Sequence, residues 1–154
     1  MTEGAVNLLR DPNETGFELA ERWLEQRNAG GFFDRLRAVP VEVGEGRMVI
    51  HCTLDHGHTN LAGLVHGGVT AALVDIAGSG AAMTLIAPGE GLLTADLSLR
   101  YLAPGKLNHQ TLIAEGQVCQ RMGSKMIVQV TVRDGASGVI AQGSVCVVAR
   151  PPQV

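Results

Sequence analysis

The chain of 154 residues is long enough to form one domain with a substantial core. Hydrophobic residues make up 45% of it and charged residues 18%, which is typical of a globular protein and excludes a disordered chain. A formal net charge of −3 at pH 7 argues against a nucleic-acid partner. The N-terminus lacks the basic start and apolar run of a signal peptide, so we expect a cytoplasmic protein.

Two helices are predicted at the start of the chain. Apolar residues recur with helical spacing over 12–28, and a short second helix is expected over 32–37. We therefore interpret residues 1–38 as an N-terminal helical extension and residues 39–154 as the main domain.

β-structure is predicted from the start of the main domain, where the apolar period changes to two. Val39, Val41 and Val43 alternate up to a turn at 44–46, and a second alternating run covers 48–54. Further strands are expected over 94–101, 107–121, 126–132 and 139–150, with a hairpin turn at 134–138.

Residues 67–87 predict one long helix between these groups of strands. The segment is apolar on almost every side, so it should be surrounded by protein, and Pro88 with Gly89 should end it. It is about long enough to cross a bilayer, but Asp75 near its middle and its many Ala and Gly residues favour a buried helix with no membrane partner. The predicted fold is α+β, with one long buried central helix wrapped by a curved antiparallel β-sheet of five to six strands.

The start of this helix is the most informative segment of the chain. Asn60 stands six residues before His66-Gly67-Gly68, and Asp75 follows His66 by nine residues. Free N–H groups and the positive end of the helix dipole favour a substrate oxygen at such a position. A carboxylate in the interior of an apolar helix is costly unless it has a function. The segment therefore predicts a site for an oxygen-bearing substrate.

Helix geometry keeps His66 and Asp75 of one chain apart. Nine residues at about 100° each turn through roughly 900°, which leaves half a turn, and they rise by about 13 Å. The two side chains therefore point to opposite sides and cannot meet over one small substrate. This separation predicts a two-fold homodimer with shared active sites.

Three segments of the chain carry a resemblance to a known family: Asn60 to Asp75, the run 94–105 and the run 121–125. They resemble the corresponding segments of the hotdog-fold acyl-CoA thioesterases of the phenylacetic-acid-degradation (PaaI) type. Matching runs cover roughly residues 39–149. The resemblance implies a hotdog fold and hydrolysis of an acyl- or aryl-acyl-CoA thioester without a cofactor, since coenzyme A is part of the substrate. It also implies homodimers that often pair again into tetramers.

The resemblance assigns a role to each residue of the site. The Gly67 N–H would polarise the thioester carbonyl with help from Asn60, and His66 would support the loop and the leaving-group side. Asp75 of the partner chain would act as general base or nucleophile, and Thr94 would orient the attacking water. The residues implied in substrate and coenzyme A binding are Gly68, Tyr101, Pro104, Lys106, Arg121, Gly123, Ser124, Lys125 and Met126.

Structural alternatives stand beside these assignments. Asp75 could brace the helix through a buried hydrogen bond, His66 could have only a packing role, and the paired glycines could serve close helix–helix approach in a dimer. A second cluster of candidate ligands comprises His51, Asp55, His56 and His58. It lacks the other ligands of common zinc sites, so we expect histidines exposed to solvent in a loop and no metal site.

Two further functions are open to a protein of this kind: an acyl-CoA hydratase or dehydratase, and a non-catalytic acyl-CoA-binding protein. The spacing of His66 and Asp75 favours hydrolysis over hydration. A sensor needs an output module, and residues 1–38 are too short and too acidic to bind DNA. Only five residues are aromatic, and the sequence reveals no stacked aromatic clamp for an aryl group.

Overall fold

The chain is described by a computed structural model over residues 5–152. The outermost parts of the predicted extension and main domain, residues 1–4 and 153–154, lie outside the described residues. The helices are α1 (Gly16–Gln26), α2 (Gly31–Leu36) and α3 (Gly67–Met83). The strands are β1 (Ala38–Gly44), β2 (Arg47–Thr53), β3 (Gly91–Tyr101), β4 (Thr111–Met122), β5 (Lys125–Asp134) and β6 (Val139–Arg150).

The six strands form one antiparallel sheet in the order β1-β2-β4-β5-β6-β3. Within the described residues, β1 and β3 are therefore its edges. Helix α3 packs across the strands, and its apolar residues join those of the sheet in one core. The predicted hotdog fold, with one long central helix on an antiparallel sheet and helices before it, is confirmed.

Helix α3 lies close to the sheet because glycines occupy the points of contact. A Cβ atom added to Gly116 on β4 would overlap the carbonyl oxygen of Ala77. A Cβ added to Gly78 would lie 2.7 Å from a methyl group of Val145. The many small residues of α3 are therefore explained by its packing.

The predicted end of α3 is wrong by four residues, since the helix ends at Met83 rather than at residue 87. The Thr84 hydroxyl donates to the Ala81 carbonyl at 2.7 Å and accepts from the Gly46 N–H at 2.7 Å. These bonds tie the end of the helix to the β1–β2 turn before the chain reaches Pro88. No helix among residues 5–152 combines the length and apolarity needed to span a membrane.

Helix α1 is shorter than the predicted span of 12–28. Thr15 and Glu18 form a capping box in which each side chain accepts from the backbone N–H of the other residue, so the helix begins at Gly16. Arg27, with φ 60°, ends it. Trp23 and Ala20 on its inner face belong to the same core as α3 and the sheet.

The burial of residues along β1 differs from the predicted alternation of Val39, Val41 and Val43. Ala38 and Pro40 are buried, whereas Val39 and Val41 are only half-buried. A bulge between Pro40 and Glu42 then changes the phase, so that Val43 packs against the core. Proline is compatible with this position because β1 is an edge strand.

Two of the later strands differ from prediction at their starts. Strand β3 begins at Gly91, before the predicted residue 94. Strand β4 begins at Thr111 rather than at residue 107, because Leu107–His109 forms a single turn of 3-10 helix.

The close approach of α3 to β4 generates a stability prediction. Gly116→Ala should lower the free energy of unfolding by about 1–3 kcal/mol, because the added methyl group meets backbone atoms that cannot move independently. Urea denaturation measures the effect. Gly44→Ala in β1 is the matched control, since its Cβ would lie 3.8 Å from the nearest atom, an ordinary contact. Equal stabilities of the two variants would contradict this packing.

Candidate functional site

The N-terminus of α3 presents an N–H group that is free to bind an oxygen. His66 is the N-cap, and its Nδ1 accepts from the Gly68 N–H at 2.9 Å. Its carbonyl accepts from the Val69 N–H at 2.9 Å. The Gly67 N–H has no hydrogen-bond partner among residues 5–152. This donor therefore remains at the positive end of the helix dipole, where negative charge is stabilised.

Asn60 lies beside this helix start, in a loop that its own side chain stabilises. The Asn60 Oδ1 accepts from the N–H groups of Ala62 at 2.9 Å and Leu64 at 3.1 Å. With the oxygen held in this way, the side-chain NH2 group remains as a donor. Asn60 and Gly67 line the same cavity of about 350 Å³. The structure thus brings together two of the residues predicted to bind the substrate carbonyl.

Tyr101 at the end of β3 covers the same helix start. Its hydroxyl donates to the Gly67 carbonyl at 2.7 Å. A Cβ atom added to Gly67 would lie 3.1 Å from the Tyr101 hydroxyl oxygen. Pro104 lines the 350 Å³ cavity with it. Lys106 is exposed, and its backbone forms an isolated antiparallel β-bridge with Leu64 in the loop before α3. Tyr101, Pro104 and Lys106 therefore all lie at the N-terminal end of α3, as does Gly68.

His58 is a positioning residue that the sequence analysis missed. The expectation that it is exposed to solvent is wrong, since only 3% of it is exposed. Its Nδ1 lies 2.9 Å from the Asp55 carboxylate and its Nε2 lies 3.0 Å from the carbonyl of Leu36 at the end of α2. The His58 carbonyl accepts from the His66 N–H at 2.8 Å. His58 therefore anchors His66, the residue that caps α3. The one sequence signal for this turn was Asp55, three residues before His58.

The same loop does not form a metal site within the described part of the chain. Over residues 5–152, no three His, Cys, Asp or Glu side chains are placed to hold a metal ion. The Arg37 guanidinium, 3.2 Å from Asp55, holds the pKa of that carboxyl below its ordinary value. Asp55 is therefore an ionised anchor for the loop.

Asp75 and Thr94 form the second part of the site. The Thr94 hydroxyl donates to Oδ1 of Asp75 at 2.7 Å. Asp75 is half-buried on α3, and Thr94 is exposed on the edge strand β3. Oδ2 of Asp75 has no hydrogen-bond partner among residues 5–152. One carboxylate oxygen is thus fixed, and the other can accept a proton.

The remaining predicted coenzyme A residues lie at the opposite end of α3. Arg121 donates to the carbonyl of Leu85, just beyond that end, at 2.9 Å. Gly123 and Ser124 follow in the exposed turn between β4 and β5, where Gly123 has φ 62°, and the exposed Lys125 begins β5.

Met126 requires a correction. No part of this residue is exposed in the protomer, since it lies in the core, so it cannot contact coenzyme A. Its neighbour Lys125 remains exposed. Alternation along β5 separates the two, because successive side chains point to opposite faces of a sheet.

One protomer therefore carries two half-sites rather than one site. The first, at the start of α3, contains Gly67 and Asn60; the second contains Asp75 and Thr94. Eight residues of helix separate the Gly67 N–H from Asp75, which corresponds to a rise of about 12 Å. A carbonyl oxygen and its carbon are too small to contact both groups of the same protomer.

The cap of α3 generates a prediction for the first half-site. His66→Ala should lower the free energy of unfolding by about 0.5–2 kcal/mol, because the Gly68 N–H loses its acceptor. Thermal or urea denaturation measures the loss. His66→Asn should retain most of the stability, since Asn is among the best N-cap residues. A His66→Asn variant as unstable as His66→Ala would contradict a capping role.

Comparison with known proteins adds independent information. A family model for the thioesterase superfamily matches residues 62–141, more than half of the chain. Acyl-coenzyme A thioesterase 13 of Homo sapiens is 29% identical over 106 residues, which cover 67% of this chain and 73% of that protein.

Solved structures with the same fold include two bacterial proteins. The PaaI protein from the phenylacetic acid degradation operon of E. coli superposes with a TM-score of 0.75 at 17% identity, covering 90% of this chain and 96% of that one. A thioesterase family protein from Silicibacter pomeroyi gives a TM-score of 0.76 at 18% identity, covering 86% and 96%. At these identities the likeness supports the fold alone.

Proposed function

Since the chain belongs to the thioesterase superfamily and is a thioester hydrolase, we propose that its substrate is an acyl- or aryl-acyl-coenzyme A thioester. The observation that carries this proposal is the half-buried Asp75 carboxylate, held by Thr94 with one oxygen free. Hydrolysis needs a group of this kind, because water is a poor nucleophile until a base takes its proton.

The proposed reaction uses one base and one oxyanion donor. The oxygen of a water molecule bonds to the carbonyl carbon while Asp75 accepts its proton. The negative charge that forms on the carbonyl oxygen is stabilised by the Gly67 N–H and the Asn60 NH2 group. The carbon–sulfur bond then breaks, the thiolate of coenzyme A leaves, and Asp75 returns the proton to it. Thr94 orients the carboxylate throughout.

We also propose that the active protein is a homodimer with two shared sites. A single carbonyl group must meet Gly67 of one protomer and Asp75 of the other, because the two lie at separate half-sites within a protomer. Strand β3 offers the surface for such an assembly: it is an edge strand, and Leu93, Tyr101 and Leu102 on or beside it are each at least 50% exposed. An uncovered strand edge with apolar side chains favours association.

The shared site also unites the two groups of coenzyme A residues. Tyr101, Pro104 and Lys106 would come from the protomer that supplies Gly67, and the β4–β5 turn with Arg121 and Lys125 from the protomer that supplies Asp75. The exposed Lys and Arg side chains are suited to the phosphates of coenzyme A.

Asp75→Asn tests the proposed base. The variant should fold normally and lose at least about a hundred-fold in kcat, because the amide cannot accept the proton of water. The measurement is release of the coenzyme A thiol from a panel of acyl-CoAs. Asp96→Asn, which alters an exposed carboxylate on strand β3, is the matched control and should stay active. Wild-type rates in Asp75→Asn would refute the assigned base.

Gly67→Pro tests the oxyanion donor, because proline lacks the N–H group but is well tolerated at the first residue of a helix. The preceding residue His66, with φ −63° and ψ 134°, already has the extended conformation that proline requires before it. We expect kcat to fall by about 10²–10³-fold.

Gly67→Ala is the control for this variant, since it adds a side chain at the same position but keeps the N–H group. It should retain much more activity than Gly67→Pro. Equal losses in the two variants would show that the contact with Tyr101 matters, rather than the N–H donor.

A further inference from the structure

An apolar cavity of about 270 Å³ lies beside the Asp75–Thr94 pair. Thr94, whose hydroxyl donates to the Asp75 carboxylate, is itself one wall of this cavity. Other walls come from α3, β3 and the two N-terminal helices, and they include Ile76, Met83, Leu92, Trp23 and Phe33. The substrate carbonyl has to lie within reach of Asp75. The acyl group attached to that carbonyl would therefore enter this cavity directly.

Trp23 and Phe33 form the wall of the cavity that the N-terminal helices supply. Only 4% of Trp23 is exposed, whereas Thr94 is exposed, so the cavity runs inward from Thr94 to the indole ring. The two aromatic rings make an edge-to-face contact with centroids 4.9 Å apart, which restricts both. The indole N–H is buried without a hydrogen-bond partner among the described residues, which is unusual for a side chain with only a packing role.

The size and polarity of the cavity restrict what it can hold. Its lining residues carry no charge, so it suits an apolar group and not the phosphates of coenzyme A. A cavity of about 150 Å³ lined by apolar side chains is known to hold benzene. The present cavity therefore has room for one phenyl ring with a short linker, or for a short aliphatic chain.

We propose that Trp23 and Phe33 determine acyl specificity by closing the acyl pocket and restricting the substrate to compact apolar acyl groups. This inference rests on the proposed hydrolysis of acyl-CoA. Both residues lie in the N-terminal extension, outside the segment 62–141 that matches the family. The extension is therefore part of the substrate site.

Substrate preference tests this inference. Phe33→Ala should remove part of the aromatic wall of the cavity. It should raise kcat/KM for dodecanoyl-CoA relative to phenylacetyl-CoA by at least about ten-fold, since pocket contacts of this size discriminate between substrates by such factors. Phe33→Leu should shift the ratio in the same direction by less, and it keeps an apolar side chain for packing. Phe32→Ala is the matched control, because Phe32 is the neighbouring residue, is 56% exposed and does not line the cavity.

Trp23 provides a second readout that does not depend on hydrolysis, because it is the one tryptophan of the chain. Titration of the Asp75→Asn variant with phenylacetyl-CoA should change the Trp23 fluorescence, whereas coenzyme A alone should leave it nearly unchanged. An identical response to both compounds would place the acyl group elsewhere and overturn the inference.

The outcomes separate this inference from the proposed function. If the wild type releases thiol from acyl-CoAs but the Phe33 variants keep its substrate preference, acyl-CoA hydrolysis stands and the role of Trp23 and Phe33 is refuted. If the wild type releases no thiol from any acyl-CoA, the proposed function fails and this inference fails with it.

Discussion

The backbone hydrogen bonds of α3 fix the distance between an N–H donor at Gly67 and a carboxylate at Asp75. Helix geometry places them about 12 Å apart along the axis, and the short Asp side chain cannot span that distance. Each end is stabilised by different neighbours: Asn60 and Tyr101 lie at the helix start, and Thr94 on β3 holds the carboxylate. The proposed chemistry therefore depends on where a second protomer places its own helix.

The packing of α3 explains why only a few of its groups remain available. Gly116 and Gly78 let the helix lie directly on the sheet, so most of its residues are buried. Asp75 stays half-buried because it lies beside β3, an edge strand with no further strand next to it in the described structure. The close packing and the open edge together leave the carboxylate accessible from one side.

The sequence was sufficient to predict the fold class and the residues at the start of α3, because periodicity and glycine pairs are local signals. It was not sufficient where tertiary contacts decide the outcome. His58 was expected in solvent, but Leu36 in α2, far away in the chain, supplies a partner that buries it. Trp23 lies within the predicted helix 12–28, and nothing local indicates that it meets Phe33 at a cavity beside Thr94. The phase of β1 depended on a bulge without a local signature.

The central claim is that two protomers complete each site, and mixed dimers test it most directly. Asp75→Asn and Gly67→Pro protomers, each carrying a different affinity tag, are combined, and dimers that hold both tags are purified. In such a dimer one site contains both substitutions and the other contains neither. We predict about half the thiol release of a wild-type dimer, since one of two symmetry-related sites is intact. Mixed dimers as inactive as either parent would contradict the account, because each protomer would then be using its own Gly67 and Asp75.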